Sequence, residues 1–200
     1  MPPKATNVRT DKMDKFNAVS KALFALLGAL GPHKITHTLV AKKAGVSRAW
    51  IYKYIGADKE DLIRFAIDHL GMHLTQRDMA DTISTKEDLV KAICTGMQRM
   101  FENTQDYPWF VPVYFKYRGT DTAPGRSIAE VEQAYIRRQS KHFETHFSYP
   151  KDRALMASEI LTAFRMGLAF SWQRGELSQK ADQNKVMESV EFWMTELFMA

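Results

Sequence analysis

The sequence predicts an all-α protein of about nine helices, arranged in two parts. Apolar residues recur three and four positions apart along most of the chain, as they do on the buried face of a helix. No segment alternates between polar and apolar residues for long enough to indicate a β-strand. Of the 200 residues, 45% are hydrophobic, which is enough to bury a core in one or two domains. We expect a small N-terminal unit over residues 1–57 and a larger helical body over residues 58–200, connected by a helix over 58–75.

Turn and capping residues delimit the first four predicted helices. Gly31 and Pro32 end the first helix, since glycine and proline both interrupt helical backbone. Asp58 is a suitable N-cap for the fourth helix, which is predicted to run from Lys59 to about Thr75. Two short helices lie between them, near residues 37–44 and over residues 48–54.

The second part of the chain contains the other predicted helices. Ser84 and Glu87 form a capping-box pattern, which opens a helix that runs to about Asn103. Between Asp106 and Gly119, two prolines and several aromatic residues predict a short helix with an irregular start. Three long helices complete the chain, over residues 127–147, 151–174 and 182–198.

The stretch from residue 40 to residue 55 has the pattern of a helix-turn-helix. Ala41 is small enough for two helices to approach each other, and Gly45 allows the left-handed backbone that the turn requires. Ser47 is then placed as the N-cap of the second helix. A helix presented in this way is typical of proteins that read base edges in the major groove of DNA. The outward-facing residues of this helix are Arg48, Ala49, Trp50, Tyr52 and Lys53.

Positive charge is concentrated in the first quarter of the chain. Residues 1–57 contain ten Lys or Arg residues and two Asp residues, a net charge of +8, whereas the remaining residues carry a net charge of −3. Segregated positive charge favours binding to a polyanion through contacts with phosphate groups. The alternative is a solvated basic surface without a partner, and the charge alone does not distinguish the two.

Residues 12–70 contain the stretch "ITHTLVAKKAGVSRAWIYKYI" and the following "DKEDLI". On these residues, the segment resembles the DNA-binding domain of TetR-family transcriptional repressors. The resemblance implies a homodimer that binds a palindromic DNA operator and is released from it by a small-molecule effector. The alternative is a helix-turn-helix activator or an architectural DNA-binding dimer that has no ligand. The DNA-binding residues expected from this resemblance are Thr36, Thr38, Ser47, Arg48, Ala49, Trp50, Tyr52, Lys53, Tyr54 and Lys59.

Trp50 has two interpretations that the sequence leaves open. Its indole could contact a base methyl group or a sugar of the DNA, because the ring has a large apolar face. It could equally pack over the turn between the two helices.

Further residues are candidates for effector binding and for dimerisation. Helix four borders the effector pocket in TetR-like proteins, and the aromatic residues of the body could line a cavity for a flat, apolar molecule. The last two long helices have apolar faces that suit a four-helix interface between two copies. The candidate effector residues are His69, His73, Trp109, Phe110, Tyr114, Phe164 and Trp172. The candidate dimer residues are Leu161, Phe164, Leu168, Val190, Trp193 and Leu197.

Other kinds of chemistry have weaker support. Two pairs of histidines have the i, i+4 spacing of metal ligands, but two ligands do not make a site, so we expect no metal and no cofactor. No phosphate-binding loop, catalytic triad or pair of apolar carboxylates is recognisable, and we expect no enzymatic activity. Cys94 is the single cysteine, and no signal peptide or membrane span is recognisable. We therefore expect a cytoplasmic, nucleoid-associated protein.

Overall fold

The computed structural model confirms the all-α class. It describes residues 8–75, 83–177 and 182–199, and it describes the side chains of residues 11–71, 83–177 and 182–196. These residues form nine α-helices and no strand, with one 3₁₀ turn at Pro32–Lys34. The helices are α1 (Val8–Leu30), α2 (His37–Ala44), α3 (Arg48–Tyr54), α4 (Lys59–Thr75), α5 (Lys86–Asp106), α6 (Phe110–Tyr117), α7 (Ala123–Phe147), α8 (Lys151–Gln173) and α9 (Gln183–Met199).

The start of α5 differs by one residue from the prediction. The N-cap is Thr85, whose Oγ1 accepts a hydrogen bond of 3.0 Å from the backbone N–H of Asp88. The carboxylate of Asp88 accepts bonds of 3.1 Å from the backbone N–H groups of Ser84 and Thr85. Hydrogen bonds from Ser84 and Thr85 lower the pKa of Asp88, because they stabilise its charged form. The predicted box of Ser84 and Glu87 was wrong because an overlapping pair one residue later satisfies more backbone donors.

The start of α7 also differs, because the helix begins at Ala123 and not at Ser127. Thr122 Oγ1 accepts a bond of 3.3 Å from the N–H of Gly125, and the carbonyl of Thr122 accepts one of 2.9 Å from the N–H of Arg126. Pro124 therefore lies in the first helical turn, where a missing N–H breaks no intrahelical hydrogen bond.

The described chain divides into two compact units. The first contains residues 8–71 together with residues 113–129, and the second contains the described parts of 72–112 and 130–199. Three helices, α4, α6 and α7, begin in one unit and end in the other. The expected boundary near residue 57 is therefore not where the contacts divide, because residues 113–129 are distant in sequence from the N-terminal helices that they join.

In the first unit, residues 113–129 are attached to α1 and α4. Tyr117 donates a buried hydrogen bond of 3.1 Å to the carbonyl of Leu27 at the end of α1. Arg126 forms ion pairs with Glu60 on α4 at 3.3 Å and with Asp121 at 2.9 Å. Packing of α1 on α2 and of α2 on α3 completes the unit. Its buried core includes Leu23, Leu27, Ile35, Val40, Ile51, Leu62 and Ile63.

In the second unit, α5 packs against both α8 and α9. Among the described residues, α8 is the one helix long and apolar enough to span a membrane by length and composition, with a mean hydropathy of 1.2. Its packing on α5 is also what the core helix of a helical body requires. The core of this unit contains Leu89, Val90, Ile93, Met97, Phe143, Ala154, Leu161, Val190 and Met194.

Candidate nucleic-acid interface

The turn between α2 and α3 has the geometry that the sequence predicted. Thr36 caps α2 by accepting a bond of 3.2 Å at Oγ1 from the N–H of Leu39. Gly45 ends α2 in the left-handed conformation, with φ 68° and ψ 26°. Ser47 then caps α3 by accepting a bond of 3.1 Å at Oγ from the N–H of Trp50. Both helices thus begin at capped N-termini, and the turn between them needs a glycine because a Cβ disfavours positive φ.

Burial separates the inner and outer sides of α3. Val40, Ala41 and Ile51 are buried and hold α3 against α2. Since these contacts occupy the inner side of α3, the outer side is available to a partner. Its exposed residues are Arg48, Ala49, Tyr52, Lys53 and Tyr54, all of which were predicted to contact DNA.

Arg48 is held by the outer side of α3 itself. Its guanidinium donates a hydrogen bond of 2.6 Å from Nη2 to the hydroxyl of Tyr52, one turn later. The ring of Tyr52 also lies 4.9 Å from the ring of His37, measured between centroids. The three side chains therefore form a cluster that links the start of α2 to α3.

An open cleft of about 620 Å³ lies beside this cluster. Its positive groups are Arg48 and Lys59, and the N-terminal ends of α2 and α4 both face it, with partial positive charge from their backbone N–H groups. Asp58 caps α4, since its Oδ1 accepts a bond of 2.9 Å from the N–H of Glu60. Such a cleft has the charge and the donors that bind a phosphate group. It is lined by Ile35, Thr36, His37, Thr38, Arg48, Tyr52, Ala57, Asp58 and Lys59.

His37 is the residue of this site that sequence reasoning missed. It lines the cleft and packs against Tyr52. A signal was present, because His37 directly follows the N-cap Thr36 and so occupies the first position of α2. Its contact with Tyr52 joins two helices, and spacing along one helix does not show such a contact.

Trp50 packs within the first unit. Its ring lies 5.2 Å from that of Phe16 on α1 and 5.1 Å from that of Tyr54. Lys12 places Nζ 4.6 Å from the centre of the Tyr54 ring and 5.4 Å from that of Phe16. Trp50 is half-buried and packs against α1 and against Tyr54 of its own helix.

His69 is buried between α1 and α4. Its Nε2 lies 2.8 Å from Oδ1 of Asn17, and its ring stacks on Phe65 at 5.4 Å. The side chain therefore makes contacts that hold two helices of the first unit together. The side chain of His73, the other histidine predicted to bind an effector, lies outside the described residues.

The other predicted effector residues are divided between the units. Tyr114 is buried in the first unit, where its ring contacts that of Phe115 at 5.2 Å. In the second unit, Trp172 packs on Phe101 at 5.3 Å, and Phe164 packs against the core. Trp109 is exposed and Phe110 is half-buried.

The predicted dimer residues have unequal exposure. Leu161 and Val190 are buried in the core of their own chain, and Phe164 and Leu168 pack against that core. Trp193 is exposed, whereas the side chain of Leu197 lies outside the described residues. The most exposed large apolar side chains of α8 and α9, over the described residues, are those of Met156 (61%), Ile160 (63%), Phe192 (63%) and Trp193 (59%).

His142 and His146 on α7 form one of the two histidine pairs with the i, i+4 spacing of metal ligands, and His69 and His73 form the other. The rings of His142 and His146 stack at 5.9 Å on successive turns. Over the described part of the chain, no group of three or more His, Cys, Asp or Glu side chains is placed to hold a metal ion.

Comparison with known proteins identifies similar regulators. No model of a known protein family matches the sequence. The chain is 27% identical over 164 residues to the HTH-type transcriptional regulator BetI of Pectobacterium atrosepticum, covering 79% of this chain and 80% of that protein.

Two solved structures show the same fold. Salmonella enterica GusR superposes with a TM-score of 0.67 at 13% identity, covering 99% of this chain and all of that one. A TetR transcriptional regulator from Legionella pneumophila superposes with a TM-score of 0.65 at 12% identity, covering 98% of this chain and all of that one. The resemblance inferred from the helix-turn-helix residues is confirmed as a shared fold.

Proposed function

We propose that this chain is a TetR-type transcriptional regulator that binds a palindromic DNA operator as a homodimer. The observation that carries the proposal is the outer side of α3. Arg48, Tyr52 and Lys53 are exposed there, and Ser47 caps the N-terminus of the helix. Recognition helices of this kind contact base edges with residues near their N-terminal end. The similarity to the HTH-type transcriptional regulator BetI, at 27% identity, supports the same conclusion.

We expect the basic cleft to bind phosphate groups of the DNA backbone. Lys59, Thr36 and Thr38 surround the N-terminal ends of α2 and α4. Contacts of this type fix the orientation of a protein on DNA without reading its sequence. We assign Lys59, Thr36, Thr38 and Lys53 to phosphate groups, and Arg48 to the bases.

The regulator is proposed to act in the cytoplasm as a repressor that a small molecule releases from DNA. A ligand can shift the equilibrium only by the difference between its affinities for the two conformations. The rival function, a dimer that activates or bends DNA without a ligand, has the same DNA interface but no coupling to a small molecule.

The DNA interface is tested by selecting an operator from a random duplex pool and measuring binding by fluorescence anisotropy at several salt concentrations. Arg48→Ala should cost about 1–3 kcal/mol on the selected operator and relax base preference at one position in each half-site. Lys53→Ala should weaken binding to all DNA sequences alike, and it should reduce the slope of log affinity against log salt concentration by about one.

The matched control is Arg137→Ala, which removes an exposed arginine from α7 and should leave both affinity and salt slope unchanged. If Arg48→Ala and Lys53→Ala behave like this control, the assignment of α3 to DNA is incorrect.

A further inference from the structure

A group of buried polar side chains occupies the second unit, between α7 and α8. Gln139 on α7 is 0% exposed, and Arg165 on α8 is 5% exposed. Ser158 and Thr162 are also buried on α8. The core of this unit is otherwise formed by apolar residues, so this polar group needs a physical reason.

Gln139 is the member whose burial is hardest to explain by folding alone. Within the part of the chain that the structure describes, neither Nε2 nor Oε1 of its amide has a hydrogen-bond partner. An amide offers two donors and an acceptor, and burying them without partners is unfavourable. Native proteins rarely retain such a group unless a bound molecule or a function requires it.

Arg165 brings a positive charge to Tyr135, which lies one helical turn before Gln139 on α7. Its Nη1 donates a hydrogen bond to the hydroxyl of Tyr135, and its guanidinium lies 5.3 Å from the centre of the Tyr135 ring. Gln139 follows Tyr135 by four residues on α7, so their side chains are neighbours on one face of the helix.

The two hydroxyl groups of α8 are oriented by their own helix. The Ser158 hydroxyl donates a hydrogen bond of 2.9 Å to the carbonyl of Ala154, and the Thr162 hydroxyl donates one of 2.7 Å to the carbonyl of Ser158. Their oxygen lone pairs remain acceptors, whereas the Gln139 amide and the guanidinium supply the donors.

We propose that Tyr135, Gln139 and Arg165, called here the polar cluster, bind the carboxylate of a small organic acid, and that this acid is the effector. The effector assignment rests on the proposed function of the chain as a ligand-released regulator. A guanidinium matches a carboxylate in planarity and charge, and the Gln139 NH₂ group adds a further donor. The Gln139 oxygen accepts from a hydroxyl of the ligand or from an ordered water.

The residues next along α8 define the rest of the ligand. Trp172 follows Arg165 by seven residues, which places it two turns further, about 10 Å along the helix axis. Its ring packs on Phe101 of α5. We infer that an aromatic or aliphatic body of this length extends from the carboxylate toward Trp172, and the ligand class that we propose is an amphiphilic monocarboxylic acid.

The carboxylate is tested by calorimetric titration of the full chain with 4-phenylbutyrate and with octanoate, each compared with its primary amide. We expect each acid to bind at least about ten-fold more tightly than its amide, because hydrogen bonds to charged groups are the stronger ones. Arg165→Met should abolish this preference. Failure of both acids to bind, or equal binding of acid and amide, would overturn the proposal.

Gln139→Leu separates ligand binding from a structural role. Leucine has a similar size and removes the unpaired amide, so the thermal midpoint without ligand should stay constant or rise while acid affinity falls by about ten-fold. Gln133→Leu, at an exposed position of α7, should change neither property. A lower midpoint with unchanged acid affinity would make Gln139 structural and contradict the proposal.

Operator binding is measured separately in the absence of any acid. DNA binding without acid binding would leave the proposed function standing and overturn the polar cluster as a carboxylate site. Acid binding that leaves operator affinity unchanged would overturn the effector assignment.

Discussion

The side chains of α3 are held in position before any DNA is present. Arg48 donates a hydrogen bond to Tyr52, and Lys12 and Lys53 lie close to the ring of Tyr54, with Nζ-to-centroid distances of 4.6 Å and 5.2 Å. A side chain that is already oriented loses less conformational entropy on binding. The tyrosines therefore hold Arg48 and Lys53, two cations that we assign to DNA.

Cys94 gives a prediction for a single residue. Burial and, to a smaller extent, the nearby carboxylate of Glu191 raise the pKa of its thiol from the ordinary 9.0 to about 11. Only the thiolate is nucleophilic, so alkylation by iodoacetamide at pH 8 should be about 100-fold slower in the folded protein than in urea.

The pH dependence checks the cause of this slow reaction. Because the folded pKa is raised, the folded rate should continue to increase between pH 8 and 10. The rate for the unfolded chain should instead level off near the ordinary pKa. A folded rate that levels off near pH 9 would show that the thiol has an ordinary pKa. Reaction is followed by intact-protein mass spectrometry.

Residues 113–129 belong to the first unit, and within them the first turn of α7 is tightly packed. Gly125 in α7 has no space for a side chain, since a Cβ would lie 2.1 Å from the carbonyl oxygen of Thr120 and 2.8 Å from that of Tyr117. The adjacent Tyr117 and Arg126 make the contacts with α1 and α4. The turn thus positions two side chains that hold the DNA-binding helices.

Gly125→Ala should destabilise the protein, although alanine is the better helix former. Overpacking against a backbone carbonyl lowers the free energy of unfolding by about 1–3 kcal/mol. The higher helix propensity of alanine raises it by only about 1 kcal/mol. Urea unfolding measures the net change. Ala134→Gly, at an exposed position of α7, measures the propensity effect alone. An increase in the free energy of unfolding of Gly125→Ala would show that the turn tolerates a side chain.

For the whole molecule, α4, α6 and α7 are continuous between the two units. A rearrangement in the second unit can therefore reach the DNA-binding helices through helical backbone. The ion pair between Arg126 and Glu60 joins α7 to α4. The hydrogen bond from Tyr117 to Leu27 joins α6 to α1. We propose that ligand binding acts on the DNA-binding helices through these contacts.

Dimerisation is the prediction for the whole molecule. A two-fold dimer places two recognition helices about 34–36 Å apart, which matches one turn of DNA. Ile160 and Trp193 are exposed on helices that both pack against α5, so Ile160→Glu and Trp193→Glu should each yield monomers at micromolar concentration. Sedimentation velocity measures the mass, and circular dichroism should show unchanged helix content.

Gln133→Glu adds a charge at an exposed position of α7 and should remain dimeric. A monomeric wild-type protein would contradict the prediction.

The sequence by itself determined the helices and the turn that presents α3. Gly45, Thr36 and Ser47 act on backbone groups within a few residues of themselves, so their effect is visible in a local pattern. The outward positions of Arg48 and Tyr52 follow from the period of one short helix. The α5 cap was off by one residue because Ser84 and Thr85 offer overlapping boxes.

Only the tertiary structure decided which partners these helices have. Trp50 packs on Phe16, and His69 contacts Asn17, which is 52 residues away in sequence. The apolar pattern of α8 contains both Leu161, which is buried, and Ile160, which is exposed, and periodicity alone does not say which side meets the core. The burial of Gln139 likewise depends on the helices packed around α7. Such contacts depend on the packing of segments that are distant in the chain, and no local pattern encodes that packing.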